Sequence, residues 1–354
     1  RHGMKKLRIG IVGVGSIARV AHICSYNGME DVEIVAVSDI VPEKMNYDQI
    51  PATAKKYADY REMLEKESLD AVDICTPNDL HSKIAVYALE HGKHVFCEKP
   101  DAISFEERKR MSAAQQKSGK VLMVMRNNRH TAGSLYLKKC VDAGEFGEIY
   151  AGRCGWIRRR GIPGKGGWFT TKSRSGGGPL IDLGVHMLDL AIYLMGNPKA
   201  VAVSGSTYCK FAEADDISDS EHSSFGEKKE DGIFDVEDLA TGFIRFENGA
   251  SLQVEFSWAS NIEEESRFVE LRGTKGGCTW KDEQVKVFNE KNGALVDVVP
   301  KLGPANGHRD NLRHFVNVVL YGEAADFDNA QGENMVKILE AIYRSAKEGK
   351  EVRL

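Results

Sequence analysis

The sequence predicts an α/β domain with a doubly wound parallel sheet, followed by an α+β domain with a large, mainly antiparallel open sheet. Three observations carry this prediction. Short apolar runs alternate with helical patterns from Leu7 to Met125, as in a parallel sheet covered by helices on both faces. The first run leads straight into Gly13-Val14-Gly15-Ser16-Ile17-Ala18. Beyond Arg129 the pattern becomes strand-like, with Asn248-Gly249 and Asn292-Gly293 between the runs, dipeptides that favour tight antiparallel hairpins. At 354 residues two domains are expected, residues 4–127 and residues 128–354.

Leu7 to Val12 is nearly all apolar and reads as a strand buried on both faces. The glycine turn after it has the spacing G-x-G-x-x-A. Gly13 allows a tight turn, Gly15 lets backbone approach a pyrophosphate, and Ala18 permits close helix–strand packing. Ser16 and Ile17 open a helix running to about Asn27-Gly28, whose first N–H groups suit phosphate. Val32 to Ser38 is the second strand and ends at Asp39, at the spacing of an acid that binds ribose hydroxyls. A carboxylate there repels a 2′-phosphate and no arginine follows, so NAD is expected over NADP. The plainer reading has Asp39 opening the turn before Pro42.

Leu69 to Cys75 is the next strand, followed by Thr76-Pro77-Asn78 and a helix from about Leu80 to Glu90. Ile84, Ala85, Ala88 and Leu89 form its apolar stripe, and Gly92 stops it. His94 to Cys97 reads as a strand delivering Glu98-Lys99-Pro100, Phe105 to Lys117 as a helix, and Val121 to Met125 as the last strand. Ligands of such sheets bind at the carboxyl ends of strands. Thr76, Pro77, Asn78, His81, Glu98, Lys99 and Asn127 therefore join Gly13, Gly15, Ser16, Ile17 and Asp39 as candidate cofactor-binding residues. The plainer reading of Glu98-Lys99 is an ion-paired strand end.

Ser134 to Ala143 reads as a helix, and Leu180 to Met195 as one continuous helix with a stripe of Leu183, Met187, Leu190, Ala191 and Leu194. Leu239 to Phe246 with Ala250 to Trp258, and Val285 to Phe288 with Ala294 to Val299, form two hairpins, before helices at Arg309 to Tyr321 and Asn334 to Ala346. Residues 211–235 are polar and largely acidic and are expected to form a mobile loop.

Composition narrows the function. A net charge of -4 argues against nucleic acid as partner. No apolar run approaches the roughly eighteen residues of a membrane span, and no secretory h-region is visible. Seven dispersed cysteines without a CxxC pair suggest reduced thiols, a cytoplasmic setting and no metal site. Arg1-His2-Gly3 ahead of Met4 reads as an expression remnant.

Asp182 and His186 lie four apart on the expected helix, hence on one face, with Asp189 close to it. Alone, such a pair is more often a dipole-favouring aspartate and a capping histidine. Here it follows Gly176-Gly177-Gly178, which is expected to allow close approach of a ligand. Taking a hydride from an alcohol needs a base for the hydroxyl proton and a cation for the developing alkoxide. His186, with an ordinary pKa near neutrality, fits the first role and Lys99 the second, with Asp182 to orient either.

Gly13 to Ala18, Cys97-Glu98-Lys99-Pro100 and Gly178-Pro179-Leu180-Ile181-Asp182-Leu183-Gly184-Val185-His186 together resemble the Gfo/Idh/MocA oxidoreductases. The likeness runs from Leu7 to Leu354 and includes Asn127-Asn128-Arg129. It implies a Rossmann domain, an α+β domain whose open sheet joins homodimers or homotetramers, and NAD(P)-dependent oxidation or reduction of a ring hydroxyl of a sugar or cyclitol. It further implies Lys99 against substrate and nicotinamide, Asp182 binding substrate, His186 transferring the proton, and a cis Lys99-Pro100 bond. Arg129, Trp168 and Lys172 are added as candidate substrate-binding residues. Arg158-Arg159-Arg160 reads either as an anion site or as an arm against a neighbouring subunit, with the second favoured. Two other functions stand beside the dehydrogenase: a redox-assisted glycoside-cleaving enzyme that retains its NAD, and a non-catalytic NAD(P)-sensing regulator.

Overall fold

The computed structural model describes residues 5–215, 217–220 and 224–354. The expected remnant at residues 1–3 and parts of the expected mobile segment, residues 216 and 221–223, lie outside the described residues.

In chain order the first elements are β1 (Leu7–Val12), a π-helical stretch (Ala18–His22) continued by α1 (Ile23–Asn27), β2 (Val32–Ser38), β3 (Lys55–Tyr57) and α2 (Tyr60–Lys66). Then come β4 (Ala71–Ile74), α3 (His81–Glu90), β5 (His94–Cys97), α4 (Phe105–Ser118), β6 (Leu122–Val124) and α5 (Ala132–Asp142). The middle holds β7 (Ile149–Ile157), α6 (Lys172–Ser175), α7 (Pro179–Asp182), α8 (Gly184–Leu194) and β8 (Ala200–Tyr208). Strands β9 (Leu239–Phe246), β10 (Ser251–Ser257), β11 (Ser266–Gly273), β12 (Gly276–Lys281), β13 (Gln284–Lys291) and β14 (Ala294–Val298) follow. Helices α9 (Gly307–Tyr321) and α10 (Asn329–Glu348) and strand β15 (Val352–Arg353) end the chain.

Two compact units result, one of residues 1–125 with 308–333 and one of residues 126–307 with 334–354. The expected division was a single cut after residue 127; α9 instead packs with the first unit. The reason is apolar. Leu312, Phe315 and Val316 share a buried cluster with Ile9, Ile11, Phe96 and Met123 of the first sheet.

The first unit is a parallel sheet in the order β3-β2-β1-β4-β5-β6. Strand residues alternate between two clusters. Ile9 and Ile11 face α1 and α9, whereas Val72, Ile74 and Val95 face α2, α3 and α4 through Met63, Ile84 and Met111. This is the doubly wound arrangement.

The second unit is a sheet ordered β14-β13-β12-β11-β7-β10-β9-β8-β15. Its pairs are antiparallel except β7 with β10. Both asparagine–glycine turns fall where expected, with Gly249, Asn292 and Gly293 at positive φ. One face packs Cys154, Leu252, Val254, Val269 and Trp280 against α8, and α10 adds Ile338, Leu339 and Ile342. The other face carries Arg153, Phe243, Gln253, Glu255 and Phe268. The described residues of 211–235 form no helix or strand but are tied down. Ser220 N–H donates to the Arg160 carbonyl and Lys229 N–H to that of Lys165.

The expected helix from Leu180 to Met195 is two helices, broken at Leu183, and the axis bends by 50° there. The apolar stripe runs on through the break, so periodicity alone does not reveal it. No single helix among the described residues is long and apolar enough to cross a membrane.

Candidate active site

The sequence dictates the glycine turn by exclusion. Gly13 has φ +92°, and a Cβ there would lie 2.8 Å from the backbone carbon and oxygen of Cys75, so no other residue fits. A Cβ on Gly15 would meet nothing within 4 Å, which leaves the turn open for close approach of a phosphate. Asp39 Oδ2 accepts from Val14 N–H at 2.8 Å and Oδ1 accepts from Val41 N–H at 2.8 Å. Each oxygen keeps a lone pair for a hydroxyl donor, so Asp39 braces the turn and still suits a ribose. The site fits a dinucleotide on its own residues.

Thr76, Pro77 and Asn78 follow β4, with Asn78 buried. His81, expected to bind cofactor, has both ring nitrogens at hydrogen-bond distance from protein carbonyls. Its ring is buried, with Nδ1 2.6 Å from the Pro100 carbonyl and Nε2 2.9 Å from that of Thr76. Burial lowers its pKa, and the neutral ring, donating to one carbonyl at a time, clamps two strand ends together. Glu98, expected to bind cofactor, is likewise engaged within the protein. It is 5 % exposed, and both its oxygens are taken, Oε1 by His22 Nε2 at 2.6 Å and Oε2 by Lys99 N–H at 3.1 Å. The Lys99-Pro100 bond is cis, and Arg108 Nε donates to Asp101 Oδ2 at 2.6 Å just beyond. Half-buried Lys99 thus stands in a turn whose neighbours are all fixed.

In the second unit, Asp182 ends α7 and its Oδ2 accepts from Trp258 Nε1 at 2.9 Å. His186 lies in α8 with Nδ1 3.2 Å from Asn128 Nδ2 and its ring 5.7 Å from that of Trp156. With the amide nitrogen facing it, Nδ1 accepts, and the neutral ring carries its proton on Nε2. Turning the Asn128 amide over would let Oδ1 accept from Nδ1–H and make Nε2 a base. Trp156, Trp258 and Asn128 thus hold the two ionisable groups. Of these only Asn128 was signalled in the sequence, through Asn127-Asn128-Arg129.

Arg129, expected to bind substrate, is buried and spent within the protein. Its Nε and Nη2 each donate at 2.8 Å to Asp189, which also accepts from Arg126 Nε at 3.0 Å. Its guanidinium lies 4.1 Å from the centre of the Tyr193 ring. This also explains Asp189, whose carboxylate anchors the Arg126–Arg129 turn to α8. Asn127 Oδ1 is buried without a protein partner, as suits an acceptor for a ligand. Trp168 stacks on Phe169 at 3.9 Å, and exposed Lys172 donates its backbone N–H to Asp235.

The glycine run has another cause than expected. A Cβ on Gly177 would strike the Tyr343 hydroxyl and one on Gly178 the Glu237 carbonyl. Glu237 accepts from Gly178 N–H at 2.8 Å, Leu180 N–H at 3.0 Å and the Tyr343 hydroxyl at 3.0 Å. Burial pushes its carboxyl up to about 7, against those donors. Both glycines make room for the brace of the Asp182 helix. Two of the three arginines are likewise internally engaged: Arg158 donates to the Gly161 carbonyl, and Arg160 to the Ser260 carbonyl and Asn261.

His22, Asp73 and Cys75 are the described group with metal-ligand spacing. Its histidine nitrogens, however, sit at hydrogen-bond distance from carboxylates, and burial and Asp73 keep the Cys75 thiol protonated.

Residues 7–126 match the family described as "Oxidoreductase family, NAD-binding Rossmann fold", and residues 134–279 match the "GFO/IDH/MocA C-terminal domain". The chain is 35% identical to "D-glucoside 3-dehydrogenase" of Escherichia coli (strain K12), over 98% of this chain and 97% of that protein. It is 30% identical to "Levoglucosan dehydrogenase" of Pseudarthrobacter phenanthrenivorans, over 79% and 75% of the two chains. A solved structure, "Levoglucosan dehydrogenase, complex with NADH", superposes with a TM-score of 0.85 at 25% identity, covering 99% of both chains. Fold, glycine turn and matches together define an NAD-binding oxidoreductase of the sugar-dehydrogenase type. The chain belongs to the Gfo/Idh/MocA family.

Proposed function

We propose that the protein is an NAD-dependent dehydrogenase that oxidises, or in reverse reduces, a ring hydroxyl of a sugar, sugar derivative or cyclitol. The observation that carries this reading is His186, held at Nδ1 by Asn128 and flanked by the tilted ring of Trp156, in a chain with an open dinucleotide turn. Similarity along its full length to a glucoside 3-dehydrogenase favours a pyranoside ring as substrate. Bound NAD supplies the hydride acceptor. Asp182, oriented by Trp258, accepts a bond from a substrate hydroxyl. His186 Nε2 takes the proton as the hydride leaves carbon, with Nδ1–H donating to the turned Asn128 amide. The Lys99 ammonium stabilises the developing alkoxide. In reduction the same ring returns the proton from Nε2.

The free thiols among the described residues support a reducing compartment such as the cytoplasm. Incubating the protein with glycosides, sugars, sugar acids and inositols plus NAD should yield NADH with at least one of them, and a ketone by mass. Product without net NADH would favour the glycoside-cleaving alternative. Tight NAD binding without turnover on any of them would favour the sensor.

A further inference from the structure

His22 is a fully buried ionisable side chain near the cofactor turn, and the proton-transfer scheme above does not use it. It sits in the π-helical stretch after that turn, and its ring is 0% exposed. Nδ1 donates to Asp73 Oδ2 at 2.6 Å and Nε2 donates to Glu98 Oε1 at 2.6 Å. An ionised carboxylate only accepts, so two such partners require a proton on both nitrogens. Asp73 comes from β4 and Glu98 follows β5, so one ring ties the first helix to two adjacent strands at their carboxyl ends. The remaining oxygen of Glu98 accepts from the backbone N–H of Lys99 at 3.1 Å. An unbroken polar chain therefore runs from Asp73 through His22 and Glu98 to Lys99.

We propose that His22 is a positioning residue for the reaction, a buried imidazolium that fixes Glu98 and through it the backbone from which the Lys99 side chain projects. This rests on the role given to Lys99 in the proposed function. The surroundings agree. Burial, the largest single influence, opposes charge on the ring, but Asp73 and Cys75 together raise His22 well above its ordinary pKa. Burial alone would raise Glu98, yet the bond and charge of His22 bring it down to about 2. Other ionisable groups around the cluster are Tyr26 and Cys75, which burial and Asp73 keep neutral, Cys97, whose thiol burial and Asp101 push up, and His308, whose pKa burial lowers. His22 is thus the cluster's own buried cation, with Lys99 next along the chain. A buried charge network of this kind costs desolvation and is best justified by the geometry it specifies.

The test uses the whole chain with NAD bound. In the unsubstituted protein labelled with 15N-histidine, one ring should keep both nitrogens protonated above the pH at which an ordinary histidine has become neutral. With 15N-lysine labelling, His22→Gln should speed hydrogen exchange at the Lys99 amide about tenfold or more while global unfolding stays cooperative. It should also lower kcat by roughly ten- to a hundredfold with the KM for NAD nearly unchanged, as expected of a displaced catalytic group. Glu98→Gln gives the same readouts should His22→Gln not fold. A ring that is neutral at pH 7, or Lys99 exchange unaltered in the variant, would overturn the inference. If the unsubstituted protein oxidises no carbohydrate, the proposed function fails, and the ring state and Lys99 exchange still decide this one.

Discussion

In the mechanism proposed above, Asn128 sets which way His186 moves a proton. Its amide meets Nδ1 at 3.2 Å, and its two orientations select the acid or the base form of the ring. Asn128→Leu removes both, so kcat should fall about tenfold or more in either direction, with NAD affinity unchanged by fluorescence titration. Lys99→Ala and His186→Ala should each lower kcat by about 10²–10⁴-fold and leave the thermal midpoint within a few degrees, checked by steady-state kinetics and melting on one preparation. At this scale the sequence revealed types better than partners. Gly13, Gly15 and Asp39 could be read from spacing because their roles are local. Glu98, His81 and Arg129 were expected to face ligands, yet their polar atoms are used inside the protein. Those partners come from distant positions, such as His22 for Glu98 and Asp189 for Arg129, and spacing along the chain says nothing about them.

Helix α9 shows how an element far along the chain joins the first unit. Arg313 donates twice to Asp31, at 2.7 and 2.6 Å, and Tyr321 donates once at 2.7 Å. The bond from Arg313, more than any other contact, lowers the Asp31 carboxyl to about 2. A depressed carboxyl contributes stability above its unfolded pKa near 4 and loses it as pH falls toward 2. The contribution is about 2 kcal/mol. Arg313→Ala should therefore lower the thermal midpoint at pH 7, and the gap to the unsubstituted protein should close between about pH 4 and pH 2. Element limits were legible where apolar runs are short and bounded: β1, β2 and β5 match the sequence reading to the residue. Strands β7 and β11 escaped it, since glycine and arginine interrupt their alternation. The break at Leu183 escaped it too, because the apolar stripe continues across it.

For the whole molecule, the sheet face bearing Arg153, Phe243, Gln253, Glu255 and Phe268 is bordered by Ser345 and Ala346 of α10, and these five side chains lie outside the buried core cluster. We propose that this face joins homodimers or homotetramers. Sedimentation of the unsubstituted protein should give a dimer or tetramer, and Phe243→Glu with Phe268→Glu should shift it to monomer; a monomer without the substitutions contradicts this. The central claim concerns chemistry: hydride from a carbohydrate ring to NAD, the proton to His186. It is tested most directly by counting NADH formed per ketone produced from a glycoside, in the unsubstituted protein and in His186→Ala. The account predicts one NADH for each ketone and loss of both together in the variant. Ketone without NADH, or full turnover in His186→Ala, would contradict it.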